Sequence, residues 1–179
     1  KQQCTVACYE LLLLWADAVA QREPGRREVA RPSGEEALGL LDRADRLGLP
    51  PTKAYHLRRA TYLDLVGDAE SARRERQLAG RTQPAGSLDH FLSGSILQKQ
   101  GLPAEAAAEF ANALRAEPEH FWAGYFLGVC NLQLSRPAQA RDNFTACLRT
   151  QPGFIWLYLF RGFAHGLMDD FQLAEDDYR

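Results

Sequence analysis

The sequence has no long apolar run, no marked charge of one sign and very little lysine. Its longest uninterrupted apolar runs, residues 11–16 and 154–160, fall far short of the roughly 20 residues that a membrane span requires. The 21 basic and 23 acidic residues leave a formal net charge of −2, so the chain as a whole has no electrostatic attraction for nucleic acid or membranes. With 46% hydrophobic and 25% charged residues, its composition is that of a folded globular protein.

Catalytic and nucleotide-binding motifs are missing. The chain contains no GxSxG, GxxxxGK[ST], GxGxxG or HExxH. His56 and His90 occupy the same position in successive copies of a sequence repeat, described below, and that repeat explains them better than a catalytic role. We therefore predict that the chain is not an enzyme, with no catalytic residue, no metal site and no cofactor.

The four cysteines form no CxxC pair, which argues against a zinc knuckle. Cys4 and Cys8 would share one helix face, and they could hold two corners of a metal site. The favoured alternative is that Cys4, Cys8, Cys130 and Cys147 are small buried thiols in a reducing compartment. No signal peptide is recognisable at Lys1, so we expect a cytoplasmic protein.

A 34-residue period organises most of the chain. A mid-helix glycine costs about 1 kcal/mol relative to alanine, and it is tolerated where a second helix must approach closely. Phe110 would be the large side chain that fills the space between one helix pair and the next, and Pro118 would end the helix. The columns in phase are Ala60, Gly94, Gly128 and Gly162; Ala72, Ala106, Ala140 and Ala174; Phe110, Phe144 and Tyr178; Ala79, Ala113 and Cys147; and Pro84, Pro118 and Pro152.

This period predicts pairs of helices joined by short turns. No sustained alternation of apolar and polar residues occurs, so we predict no sheet. Hydrophobic periodicity and helix stop signals give the following helical spans: 53–66 and 69–82, 87–100 and 103–116, 121–134 and 137–150, and 155–168 and 171–179.

The pattern resembles the tetratricopeptide repeat, which has the same period, with small residues, an aromatic and a proline at these offsets. The resemblance implies an all-α, right-handed superhelical solenoid of antiparallel helix pairs. Its copies would be 53–86, 87–120, 121–154 and a truncated 155–179. The first copy departs from the pattern at Arg76, where the family has an aromatic, and this predicts a looser or more exposed second helix.

Residues 1–52 form a degenerate N-terminal repeat. Its first helix would run from Cys4 to about Ala20. Residues 33–36 have the spacing of a capping box that opens the second helix, and residues 21–32 form a long loop between the two. We interpret that loop as a surface insertion, with a specific binding loop as the alternative. Because the last repeat stops at Arg179, we expect the chain to be part of a larger protein.

The first helices of such repeats line a concave surface that is the usual ligand site in this family. In this sequence the lining is rich in aromatics, which bury a large area at a low cost in rotamer entropy. Some of these aromatics would be inter-repeat core instead, since an error of one position exchanges the faces. The predicted peptide-binding groove contains Arg58, Phe91, Ser95, Trp122, Tyr125, Phe126, Trp156, Phe160 and Phe163.

These residues predict a non-catalytic scaffold that binds an apolar helix or extended peptide. The partner would be a protein or peptide, not nucleic acid or a membrane, and the open C-terminal edge could also self-associate. Residues 88–91, 120–122, 145–148 and 159–166 look like repeat segments of large bacterial serine/threonine kinases of planctomycete type. That resemblance implies an alternative: a regulatory or self-association region of a kinase whose catalytic domain lies elsewhere.

Overall fold

The computed structural model describes residues 2–21 and 27–179, and this part of the chain contains ten α-helices and no strand. Consecutive helices pack as antiparallel pairs, and each pair packs on the next within the units defined below. The helices are α1 (Gln2–Ala20), α2 (Arg27–Asp45), α3 (Lys53–Val66), α4 (Ala69–Arg81), α5 (Ser87–Lys99), α6 (Pro103–Ala116), α7 (Phe121–Gln133), α8 (Pro137–Thr150), α9 (Ile155–Gly166) and α10 (Phe171–Tyr178).

The all-α fold of helix pairs predicted from the repeat is confirmed. The eight helices from α3 to α10 match their predicted spans closely at both ends. Pro103 and Pro137 each occupy the first position of a second helix, where the missing N–H of proline costs no hydrogen bond.

The predicted start of α2 is wrong. The helix begins at Arg27 and runs through Pro32, so Ser33 lies inside it and is not an N-cap. Pro32 lies inside the helix, past its first turn, so one backbone hydrogen bond of α2 is missing there. Gly34 lets α3 approach, because a Cβ built there would lie 3.0 Å from Cγ1 of Val66. Of the predicted loop, residues 27–32 are therefore helical, and residues 22–26 lie outside the described residues.

The chain divides into two compact units, unit 1 (Lys1–Pro84) and unit 2 (Ala85–Arg179). Unit 1 contains the N-terminal pair α1–α2 and the pair α3–α4, whereas the sequence predicts a boundary after residue 52. Unit 2 contains the three pairs α5–α6, α7–α8 and α9–α10. Each unit is described below by itself.

Unit 2 is held together by an aromatic side chain that fills the space above each mid-helix glycine. A Cβ built on Gly94 would lie 2.8 Å from Cε1 of Phe110, and one built on Gly128 would lie 2.5 Å from Cε1 of Phe144. Tyr178 fills the same place opposite Gly162. The close approach of a second helix, which the 34-residue period predicted, is therefore present, but the aromatic rings that the sequence placed between helix pairs are what meet the glycines within each pair.

A second column, at the turn within each pair, has a left-handed backbone. Gly67 and Gly101 have φ of 89° and 76°, and Ser135 and Asp169 have φ of 56° and 62°. These four residues follow the same period, but their chemistry differs, so inspection of the sequence did not reveal the column. Glycine adopts this conformation freely, whereas a residue with a side chain is strained there.

The pair α3–α4 lacks the aromatic, and its second helix differs accordingly. Arg76 is exposed and forms an ion pair with Asp64 on α3 instead of filling a gap. Opposite it, Ala60 takes the place that glycine has in unit 2, and it is buried. The looser or more exposed second helix predicted for this copy stays a prediction.

Candidate functional site

The candidate site is an aromatic surface on unit 2, with α7 at its centre. Trp122, Tyr125 and Phe126 are spaced by three and one, which places all three on one side of the helix. Their rings contact each other: the centroids lie 5.9 Å apart for Trp122 and Tyr125, and 5.2 Å apart for Tyr125 and Phe126. Rings in such edge-on contacts pack at favourable distances and hold each other in place.

This cluster continues onto the first helices on either side. The ring of Phe126 lies 6.1 Å from Phe91 on α5. The ring of Tyr125 lies 5.9 Å from Phe160 on α9, and Phe160 in turn lies 6.5 Å from Trp156. The three first helices of unit 2 therefore share one continuous row of aromatic rings.

The row divides into packing rings and exposed rings. Phe126 stacks on Phe110 and Phe160 stacks on Phe144, each pair at 5.7 Å, so these two phenylalanines join one helix pair to the next. Trp122 and Trp156 are 46% and 56% exposed. The two indoles, one repeat apart, are the accessible rings, and the phenylalanines pack beneath them.

Two other predicted residues lie beside this row. Phe163 is exposed on α9, one helical turn after Leu159. Ser95 is half-buried, and its hydroxyl donates to the carbonyl oxygen of Phe91 at 2.9 Å. The donor of Ser95 is thus used within its own helix, so its contribution to a ligand would be contact area or hydrogen-bond acceptance.

The prediction that Arg58 belongs to the peptide-binding groove is wrong. Arg58 belongs to unit 1, its side chain is 1% exposed, and its Nη2 lies 3.3 Å from Oδ2 of Asp17 on α1. The repeat phase placed it on the inner side of α3 correctly, but α1 covers that side. The period alone does not predict this burial, because the N-terminal pair is out of phase with the other repeats.

The charge of unit 2 is acidic. It carries seven basic and eleven acidic residues, a difference of −4. Burial raises the pKa of the Tyr125 hydroxyl above its ordinary value, so this ring is neutral at physiological pH. The row of aromatics itself contains no charged side chain.

Comparison with known proteins gives the fold. No family model matches the chain, and no curated protein matches it in sequence. Among solved structures it is similar to YrrB, described as a TPR protein with an unusual peptide-binding site, with 16% identity, a TM-score of 0.61, and coverage of 93% of this chain and 80% of that one. It is similar to pilF of Pseudomonas aeruginosa, with 19% identity, a TM-score of 0.64, and coverage of 97% and 75%. A MamA structure from Desulfovibrio magneticus RS-1 gives 19% identity, a TM-score of 0.62, and coverage of 93% and 91%.

The chain has a tetratricopeptide-repeat fold. At these identities the likeness concerns the fold alone, and it agrees with the glycine, alanine and aromatic columns described above.

Within this tetratricopeptide-repeat fold, two histidines form the same pair in successive repeats. Nδ1 of His56 lies 2.7 Å from Oε2 of Glu75, and Nδ1 of His90 lies 2.7 Å from Oε2 of Glu109. Each pair joins the first helix of a repeat to its second helix. The two pairs have the same separation along the chain, which could have revealed them in the sequence, and their repetition indicates a role in joining the helices.

Burial of the cysteines was predicted for all four, and the structure shows it for two of them. Cys130 and Cys147 are buried, and burial raises the pKa of each thiol to about 11. Cys4 and Cys8 are exposed, so the prediction of buried thiols is wrong for them. Across the described residues, no group of three His, Cys, Asp or Glu side chains is arranged to hold a metal ion.

None of the helices described is long and apolar enough to cross a membrane.

Proposed function

We propose that this chain is a protein-interaction scaffold that binds an apolar segment of a partner on the aromatic surface of unit 2. The observation that carries the proposal is the pair of exposed indoles, Trp122 and Trp156, at the same position in successive repeats. Exposed tryptophans on a rigid support supply much of the binding energy in many interfaces. Similar structures support this function, since one of them, YrrB, is described as having a peptide-binding site.

The chemistry of the surface specifies the kind of ligand. An amphipathic helix binds in a groove through side chains at i, i+3, i+4 and i+7, and these would lie across the two indoles. The net charge of −4 on unit 2 favours basic residues at the edges of the ligand. Among the residues of the row there is no cation to receive a carboxylate, so a C-terminal carboxylate is not the expected anchor.

The proposal is tested with two synthetic helical peptides of equal charge. One carries leucine at the four anchor positions and lysine elsewhere, and the other replaces each leucine with serine. Fluorescence anisotropy of the labelled peptides measures binding to the full chain. We expect the leucine peptide to bind and the serine peptide not to bind, because the indoles recognise apolar area.

The Trp122→Ala, Trp156→Ala double variant is expected to weaken binding of the leucine peptide by about tenfold or more, since removal of anchor residues typically costs about 2 kcal/mol or more. The matched control is Trp15→Ala, which removes an indole that is 50% exposed on unit 1. Equal affinity in the double variant and the wild type, with the fold intact by circular dichroism, contradicts the proposal.

The kinase alternative remains a prediction from the sequence, as do the cytoplasmic location and the absence of catalysis. It rests on the four segments named above, and the fold is compatible with it, because the same aromatic surface could receive a segment of a catalytic domain. A reading frame with a glycine-rich loop followed by a catalytic-loop aspartate would support it. A reading frame without these motifs would contradict it.

A further inference from the structure

Helix α1 presents an apolar face to solvent. None of the exposed residues between Cys4 and Ala20 is charged. Leu11, 63% exposed, is followed on the same face by the exposed Leu14, Trp15 and Ala18. We refer to these four residues as the head stripe. A helix that is apolar on both sides is normally covered on both sides, so the head stripe requires an explanation.

The contacts on the opposite side of α1 show which side of a repeat interface the head stripe corresponds to. The ring of Tyr9 stacks on Tyr55 at 6.4 Å, and Asp17 pairs with Arg58, both on α3. The 34-residue period makes Tyr55 and Arg58 the equivalents of Leu157 and Phe160 on α9, which pack against α7. Tyr9, Leu13 and Asp17 of α1 therefore correspond to Phe121, Tyr125 and Val129 of α7.

With this correspondence, the head stripe matches a buried interface inside unit 2. The α7 residues that are equivalent to the head stripe have the same spacing, and they pack against the preceding pair, α5–α6, around Phe110. The head stripe is thus the half of a repeat interface that faces the preceding pair. The equivalents of Leu11, Leu14, Trp15 and Ala18 are Ala123, Phe126, Leu127 and Cys130.

The other half of the same interface is exposed on α9. Ile155, Leu159 and Phe163 lie one repeat after Phe121, Tyr125 and Val129, and we refer to them as the tail stripe. In α7 this face packs against the following pair, whereas Ile155 is 71% exposed and Leu159 and Phe163 are also exposed. Both stripes are apolar and exposed, whereas the equivalent faces of α7 pack against neighbouring helix pairs.

We propose that a second copy of this chain covers these faces, with the head stripe of one copy packed on the tail stripe of the other. The contact would continue the internal repeat interface, because each stripe has the spacing of one side of that interface.

Charge favours the same pairing of a head stripe with a tail stripe. Unit 1, with 14 basic and 12 acidic residues, is positive by 2, whereas unit 2 is negative by 4, so pairing of unlike stripes is favoured over pairing of two tails. Such a head-to-tail contact leaves one stripe free at each end and can extend to longer chains.

Two variants test the arrangement. Leu11→Asp with Leu14→Asp blocks the head stripe, and Ile155→Asp with Leu159→Asp blocks the tail stripe. The matched control is Leu47→Asp with Leu78→Asp, two exposed leucines outside both stripes. Sedimentation velocity over a wide concentration range measures the mass of each protein and of a one-to-one mixture of the two stripe variants.

We expect the wild type and the control to form species larger than a dimer as concentration rises. Each stripe variant alone should stay at the monomer mass of 20.0 kDa, and their mixture should stop at twice that mass, because one intact head meets one intact tail. Association restored in the mixture also shows that both variants are folded. A wild type that is monomeric throughout, a stripe variant that dimerises alone, or a mixture without the heterodimer overturns the proposal.

Discussion

The glycines at positions 94, 128 and 162 are the residues on which the packing of unit 2 depends most directly. Each faces an aromatic ring at a distance that leaves no room for a Cβ. The interior of a protein is packed too densely for the ring to move aside without cost. A single methyl group at these positions therefore tests the packing between the two helices of a repeat.

We predict that Gly128→Ala destabilises the chain by about 1–3 kcal/mol, because its Cβ would overlap Phe144. The matched control is Gly80→Ala on α4, where a Cβ would meet nothing within 4 Å. That change should stabilise by up to about 1 kcal/mol, since alanine is the better helix former. Urea unfolding measures both free energies. A Gly128→Ala variant as stable as Gly80→Ala would contradict the packing described here.

At the scale of the residue, a column was predicted where the same residue type recurs in each repeat. A column was missed where only the backbone conformation recurs. The glycine and aromatic columns were visible because the same residue types recur. The left-handed column of Gly67, Gly101, Ser135 and Asp169 was not, because two of its members accept strain that glycine avoids. The repeat phase placed the groove aromatics on the first helices. Only the structure, in which Phe126 and Phe160 stack on the second helices, distinguishes these packing rings from the exposed indoles.

At the scale of the element, the contact between α1 and α3 differs from the other contacts between first helices. Besides the ring contact of Tyr9 with Tyr55, it contains a polar group of three residues. Asp17 accepts hydrogen bonds from the Tyr62 hydroxyl at 2.8 Å and from Arg58 at 3.3 Å. Burial raises the pKa of Tyr62, and Nε and Nη1 of Arg58 are buried without a partner among the described residues. A buried guanidinium held mainly by one carboxylate makes this contact sensitive to the loss of that carboxylate.

We predict that Asp17→Ala destabilises unit 1 by about 3–5 kcal/mol, because it leaves the charge of Arg58 buried and unpaired. Replacing Arg58 and Asp17 together with leucine should cost much less, since Leu92 occupies the position equivalent to Arg58 in the next repeat. The control is Asp64→Ala, which removes an exposed ion pair with Arg76 and should cost at most about 1 kcal/mol.

Thermal and urea unfolding followed by circular dichroism compare these three variants. If Asp17→Ala costs no more than Asp64→Ala, the buried pair does not hold α1 on α3. If the double leucine variant is the least stable of the three, the pair contributes more than an apolar contact would.

Helix positions were predicted well wherever the 34-residue period holds. Prolines and small residues recur in phase from residue 53 onward, and the helices there end close to their predicted ends. The start of α2 was missed because its local pattern favoured a cap at Ser33, while contact of Gly34 with α3 favours a continuous helix. The burial of Arg58 was missed for the same reason, since the contacts of α1 with α3 do not follow from the period.

At the scale of the whole molecule, unit 2 has an exposed aromatic surface, and each unit has one exposed apolar stripe. The aromatic surface of unit 2 is a row of rings whose phenylalanines are fixed by packing and whose indoles are free to contact a ligand. The head and tail stripes do not include Trp122 or Trp156, but Leu159 of the tail stripe lies one helical turn after Trp156. Binding of a peptide is therefore measured at concentrations below those at which copies associate. The repeat thus provides the packing contacts between helix pairs, and it leaves two indoles exposed for contact with a ligand.

Fluorine NMR of the chain labelled with 5-fluorotryptophan shows directly which indoles contact the leucine peptide. The three tryptophans give three signals, which are assigned by replacing each one with phenylalanine. On titration with the leucine peptide we expect the signals of Trp122 and Trp156 to shift together and that of Trp15 to stay in place. Shifts at Trp15 alone, or no shift at Trp122 and Trp156 when the peptide is bound, would contradict the assignment of the aromatic surface as the binding site.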